Sequence, residues 1–105
     1  MTNKITDDVL TIYLKGEIDH HASQNIRQEI DELINRTRAD KTVLNFRDVS
    51  FCDSSGIAIV LGRYKLIKSL GGELELSEVP EKIKKIFIMA GIEKMLKITD
   101  KGEKE

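Results

Sequence analysis

Apolar and polar residues alternate first at Leu10, Ile12 and Leu14, with Thr11 and Tyr13 between them. A period of two is the mark of a strand with one buried face, so the spacing predicts a strand over Val9–Leu14, closed by Gly16. Lys4-Ile5-Thr6 and the Asp7-Asp8 pair before it read as a short antiparallel partner and its turn. The period then changes. Ala22, Ile26, Ile30, Leu33, Ile34 and Thr37 recur at helical spacing, with Arg27, Glu29, Glu32 and Arg36 on the opposite face, and the helix should end between Arg38 and Asp40. Thr42–Phe46 is too short for a helix and apolar on both faces, as expected of a central strand covered by helices. Asp48–Cys52 reads as a connection into a second helix opened by Asp53-Ser54-Ser55-Gly56. That helix carries Ile57, Val60, Leu61, Tyr64 and Ile67 and stops at Gly71-Gly72. Glu73–Ser77 alternates strictly and is a third strand. Pro80 suits the first turn of a third helix with Ile83, Ile86, Phe87 and Ala90 as its stripe, ended by Gly91, and Lys94–Ile98 is a last short strand.

Strands alternating with helices define an α/β fold. They imply a small, mostly parallel sheet with an antiparallel N-terminal edge strand, joined by right-handed crossovers with helices packed on it. No linker or repeat divides the chain, so one domain is expected over residues 3–99, with 100–105 as a disordered tail lacking any apolar side chain to dock it.

Composition narrows the function classes. Among 105 residues, 17 Lys and Arg meet 18 Asp and Glu, a formal charge of −1, which leaves no cationic excess to displace phosphate counterions. Direct nucleic-acid binding is therefore not expected. A single Cys excludes a disulfide framework and a cysteine-based zinc site. No apolar run approaches the roughly 20 residues that cross a bilayer, and Met1–Asp8 lacks the apolar core of a secretory signal, so the expected address is the cytoplasm, off the membrane.

The stretch richest in chemistry is Asp53-Ser54-Ser55-Gly56. Short oxygen-bearing side chains at a helix start serve as caps for orphan N–H groups. The same position also displays a hydroxyl at the positive end of a helix, where a phosphate is tolerated or favoured. Composition does not choose between these readings. Nucleophilic hydrolysis is disfavoured, because neither Ser54 nor Ser55 has glycines two before and two after it. Adjacent His20 and His21 diverge on a helix or a strand and chelate one ion poorly, so no metal is expected. Glycine-rich phosphate loops are absent. Cys52 reads as a small buried hydrophobe, and Gly62, costly inside a helix, as a place of close approach by the fold or a partner, or as drift.

Taken together, Gly16-Glu17-Ile18-Asp19-His20-His21, Ser50–Gly56 and the Leu61–Lys65 block followed by Gly71-Gly72-Glu73 resemble the anti-sigma factor antagonists of the STAS family, and among these the sporulation type. The resemblance spans about residues 5–98. It implies a protein-binding switch without catalytic residues, cofactor or metal of its own. Ser54 would be phosphorylated by an anti-sigma factor that is a serine kinase and uses ATP. The unphosphorylated form would bind that kinase and release its sigma factor, and a phosphoserine phosphatase would restore it. Asp19, His20, Asp53, Ser54, Ser55, Gly56 and Ile57 would form the partner-facing surface. Where the family has Gly-Leu-Gly after the serines, this chain has Gly56-Ile57-Ala58, which adds a methyl group at the third position. Two alternatives stay open within the resemblance: a general-stress sigma antagonist with the same mechanism, and a non-switching STAS module that binds a ligand or docks in an assembly.

Overall fold

The computed structural model describes residues 1–102. Chain order is β1 (Thr2–Thr6), β2 (Val9–Ile18), α1 (His20–Thr37), β3 (Lys41–Cys52), α2 (Ser54–Ser69), β4 (Glu73–Val79), α3 (Glu81–Met89), a single 3₁₀ turn (Ile92–Lys94) and β5 (Lys97–Asp100). The sheet order is β1-β2-β3-β4-β5, with β1 antiparallel to β2 and every other pair parallel. The expected α/β architecture is the one present. A sheet that grows in chain order through right-handed crossovers places all its crossover helices on one face.

The pleat sorts the side chains accordingly. Ile12, Leu44, Leu76 and Ile98 lie in register across four strands on the helix-covered face. There they meet Ile30, Ile34, Val60, Ile67, Ile83 and Phe87 in one hydrophobic cluster. The rings of Phe46 and Phe87 pack edge to face at 5.4 Å, tying β3 to α3. The next row, Thr11, Val43, Glu75 and Lys97, points to the other face. Between α1 and α2, Arg63 Nε lies 2.8 Å from Asp31 Oδ1, so an ion pair fixes how the two helices sit side by side.

Several boundaries differ from the sequence reading, each for a local reason. Gly16 does not close β2. Its φ of +80° is absorbed as a bulge, and the strand continues paired with β3 to Ile18. Asp48–Cys52 is no connection but the second half of β3; register shifts break its alternation while Val49 and Cys52 stay buried. The hairpin turn is made by Asp7 and Asp8, both left-handed as a two-residue hairpin requires. Pro80 is the N-cap of α3 rather than part of its first turn, and Ala90 is an exposed C-cap rather than part of the stripe. The last strand starts at Lys97, because Ile92–Lys94 forms the 3₁₀ turn. Regular structure also extends beyond each expected domain limit. Thr2 belongs to β1, and Asp100, expected in the tail, closes β5 opposite Val79 and pairs with Lys84. Lys101 N–H donates to the Val79 carbonyl at 3.1 Å and turns with Gly102, and the remaining residues of the expected tail, 103–105, lie outside the described residues.

Candidate functional site

The site is built where β2 and β3 end and α1 and α2 begin. Ile18 and Cys52 are paired at the last rung, and Asp53 N–H donates to the Ile18 carbonyl at 3.1 Å, extending the pairing one step past the sheet. Parallel strands that end together deliver their next residues to the same place. Asp19 and Asp53 are those residues, and each is an extended N-cap. Asp19 Oδ1 accepts from Ala22 N–H at 2.9 Å, and Asp53 Oδ1 from Ser55 N–H at 2.8 Å. The capping reading of Asp53 thus holds. It leaves the neighbouring Ser54 with no capping duty and exposed, as the first residue of α2.

Electrostatics bind the two caps into one surface. The Asp53 carboxyl is held below the usual aspartate range, first by the Ser55 backbone N–H, then by the Ser55 hydroxyl, then by the backbone and charge of His20. His20 opens α1, so its influence on Asp53 records the closeness of the two helix starts. Both histidines are exposed, with ring centroids 6.1 Å apart and planes at 66°. No group of three or more His, Cys, Asp or Glu among the described residues is placed to hold a metal ion. What the surface offers is an exposed hydroxyl on a helix N-terminus, bounded by two carboxylates and an imidazole.

The expected site residues divide into two sets. Asp19, His20, Asp53, Ser54 and Ser55 come together at this end of the sheet and reach solvent at least in part. Ile57 is half-buried against the core, so only part of it contributes surface. Gly56 is a correction: expected on the partner-facing surface, it is buried, and a Cβ there would lie 2.1 Å from Cys52 Sγ. Its role is to let α2 start against the end of β3. Cys52 is a buried thiol as expected, with its pKa pushed up to about 11 by burial and by Asp53. Gly62 has no heavy atom within 4 Å of an added Cβ, so no close approach within the fold explains it. One residue escaped the sequence reading. Phe51, half exposed at 50%, is on β3 two residues before Asp53 and adds apolar area beside the hydroxyl. Strict alternation would have turned Phe51 inward with Val49; the register shift after Val49 turns it outward, and periodicity gives no signal for that.

The chain belongs to the STAS-domain family, whose profile matches residues 1–104. Among named relatives, the anti-sigma F factor antagonist of Paenibacillus polymyxa is 40% identical over 92 residues, covering 88% of this chain and 79% of the relative. That of Lysinibacillus sphaericus is 33% identical, covering 84% and 75%. The anti-sigma-B factor antagonist of Bacillus subtilis is 28% identical, covering 95% and 90%. Solved structures give the same neighbours. The anti-sigma factor antagonist SpoIIAA in its unphosphorylated form matches with a TM-score of 0.72 at 30% identity, over 94% of this chain and 86% of that one. The Bacillus SpoIIAA in the phosphorylated form matches with 0.71 at 31%, over 92% and 88%. No helix among the described residues is long and apolar enough to cross a membrane.

Proposed function

We propose that this protein is an anti-sigma factor antagonist. In this reading it binds an anti-sigma factor through the surface around Ser54 when that hydroxyl is free, and loses the partner when the hydroxyl carries a phosphate. The observation that carries the proposal is the placement of Ser54, exposed on the first turn of α2 while Asp53 does the capping. The relatives support the class, and their order favours the F type: the F-factor names attach to relatives at 40% and 33% identity, the B-factor name to one at 28%. The partner is then an anti-sigma serine kinase that spends its own ATP on Ser54, and a phosphatase reverses the mark. The chain itself contributes a binding surface and an acceptor hydroxyl and catalyses nothing. Its place of work is the cytoplasm.

The physics of such a switch follows from the site. Phosphorylation adds about −1.5 to −2 charge. The helix N-terminus accommodates an anion, so the fold tolerates the group. The partner meets something else: a third negative centre beside Asp19 and Asp53, on a surface that had been matched without it. Switching therefore works by local charge and shape with little refolding. The test is incubation with the candidate anti-sigma kinase and ATP, followed by mass spectrometric mapping. Phosphate on Ser54 is expected, absent from Ser54→Ala. Phosphate confined to Ser55, or no uptake at all, would overturn the assignment, the latter in favour of a non-switching module.

A further inference from the structure

The Ser54 site depends on two strands of unequal length ending together. From the rung Val9–Lys41 to the rung Ile18–Cys52, β2 uses 10 residues and β3 uses 12. The surplus on β3 is taken up at two register shifts, one between Asn45 and Asp48 and one between Val49 and Phe51. Without either shift, Asp53 would miss Asp19 by one residue, about 3.3 Å along the strand.

Side chains hold the first shift. Asn45 and Ser77 form the last rung between β3 and β4. Just past it β4 bulges as well: Leu76 is opposite Ile98 and Val79 opposite Asp100, one more residue on β4 than on β5. At that bulge Glu78 stands at φ +50°, left-handed without being glycine. Asn45, only 6% exposed, bridges the two bulges. Its Oδ1 accepts from Arg47 N–H at 2.9 Å, and its Nδ2 donates to Glu78 Oε2 at 2.8 Å. A backbone N–H requires the amide oxygen and a carboxylate requires the amide nitrogen, so one orientation alone makes both contacts. Glu78 is held from other sides too. Its N–H donates to Thr99 Oγ1 at 3.3 Å, and Arg47 Nη1 lies 3.9 Å from Oε1. Strained backbone of this kind persists where its surroundings over-determine it, and bulges commonly re-aim residues beside a functional site.

We propose that Asn45 and Glu78 are positioning residues for the Ser54 site: their hydrogen bond locks the β3 bulge and so sets the register in which Asp19 and Asp53 meet. The inference rests on the reading of Ser54 as the switch position. The clamp acts at a distance, through the stretch of β3 from Arg47 to Cys52, which pairs with β2 and no longer with β4. A full slip of that stretch by one residue would turn Val49 and Cys52 out of the core, and their burial opposes it. Loss of the clamp therefore shows as more frequent opening of the last rungs, up to the bond from Asp53 N–H to the Ile18 carbonyl.

The test is native-state amide hydrogen exchange of the full chain at neutral pH, comparing Asp53 with Ile30 and Ile34 in the middle of α1. Asn45→Asp keeps the acceptor for Arg47 N–H but sets two carboxylates against each other. Protection of the Asp53 amide should fall about tenfold more than that of Ile30 and Ile34. Asn45→Asp/Glu78→Gln exchanges donor and acceptor at unchanged net charge, and protection should return to within about threefold of the wild type. Glu78→Ala, which buries no new charge, is a second arm in case Asn45→Asp does not fold; it should lower Asp53 protection several-fold. A merely structural role predicts equal losses at Asp53 and in α1. Equal losses, or no recovery in the double variant, would overturn the proposal. In a parallel arm with the candidate anti-sigma kinase and ATP, Ser54 should be phosphorylated about tenfold more slowly in Asn45→Asp and at near wild-type rate in the double variant. A wild-type chain that takes no phosphate would sink the switch reading, while the exchange data still decide the clamp.

Discussion

Gly56→Ala tests how the site is held. The added Cβ would lie 2.1 Å from Cys52 Sγ, while its next contacts, Ile18 Cγ2 at 3.8 Å and Cys52 Cβ at 3.9 Å, are ordinary. The overlap is therefore with one atom, and that atom is buried between the end of β3 and the start of α2. Carbon and sulfur cannot share that spacing, so the thiol must turn into a packed core or the first turn of α2 must lift. Overpacking of this kind costs about 1–3 kcal/mol. Replacing a helical glycine returns at most about 1 kcal/mol. Net destabilisation of about 1–2 kcal/mol is expected, read as a lower midpoint in urea unfolding with unchanged slope. Removing the sulfur should relieve it: in Cys52→Ala/Gly56→Ala the remaining contacts are the ordinary ones. The double variant should then be more stable than the sum of the single effects by about 1–3 kcal/mol, the coupling typical of touching residues. A Gly56→Ala protein as stable as the wild type, or additive effects in the double variant, would refute the packing argument and leave Gly56 free to act on the surface.

Other expectations follow from the same geometry. Asp19→Ala removes the side-chain cap on α1 and should cost about 1 kcal/mol in thermal or urea unfolding, whereas Asp19→Asn should cost little. The Asp53 carboxyl is depressed in the folded state, so its contribution to stability is complete above the usual aspartate pKa and is lost as pH falls through the depressed value; Asp53→Asn should flatten that acid limb of the stability curve. Gly62→Ala meets open space in a helix and should stabilise the chain by up to about 1 kcal/mol, and any loss of partner binding in that variant would map the partner onto α2. Cys52, with its thiol pushed up to about 11, should resist iodoacetamide in the native protein at neutral pH and react only on unfolding.

Much of this molecule can be read from its residues, and the exceptions have physical causes. Leu10, Ile12 and Leu14 announce a strand because their row faces a continuous helical layer. Ile83 and Phe87 announce α3 in the same way. The reading stops short at Gly16 and again at Arg47-Asp48, because a bulge breaks alternation locally while pairing continues, and a period measured over five residues cannot tell that from a loop. Half of the site was legible: Asp-Ser-Ser-Gly marks a helix start in any context. That Asp19 stands beside it depends on β2 and β3 ending on the same rung, which the family resemblance implied and periodicity alone did not. Gly56 was misplaced because its constraint is a contact with Cys52, four residues back but on the preceding strand. Glu75 illustrates the limit in the other direction. Its strict alternation gave the strand correctly, yet the wet face it implied is closed over by Lys41 and its neighbours.

The account turns on Ser54 as the position where charge decides binding. Calorimetric titration of the proposed anti-sigma kinase partner with the unphosphorylated chain and with the chain phosphorylated at Ser54 tests it most directly. Tight binding of the first is expected, with loss on the order of a hundredfold or more in the second, since like charges brought together at an interface cost several kcal/mol. Equal affinity of the two forms would contradict the account.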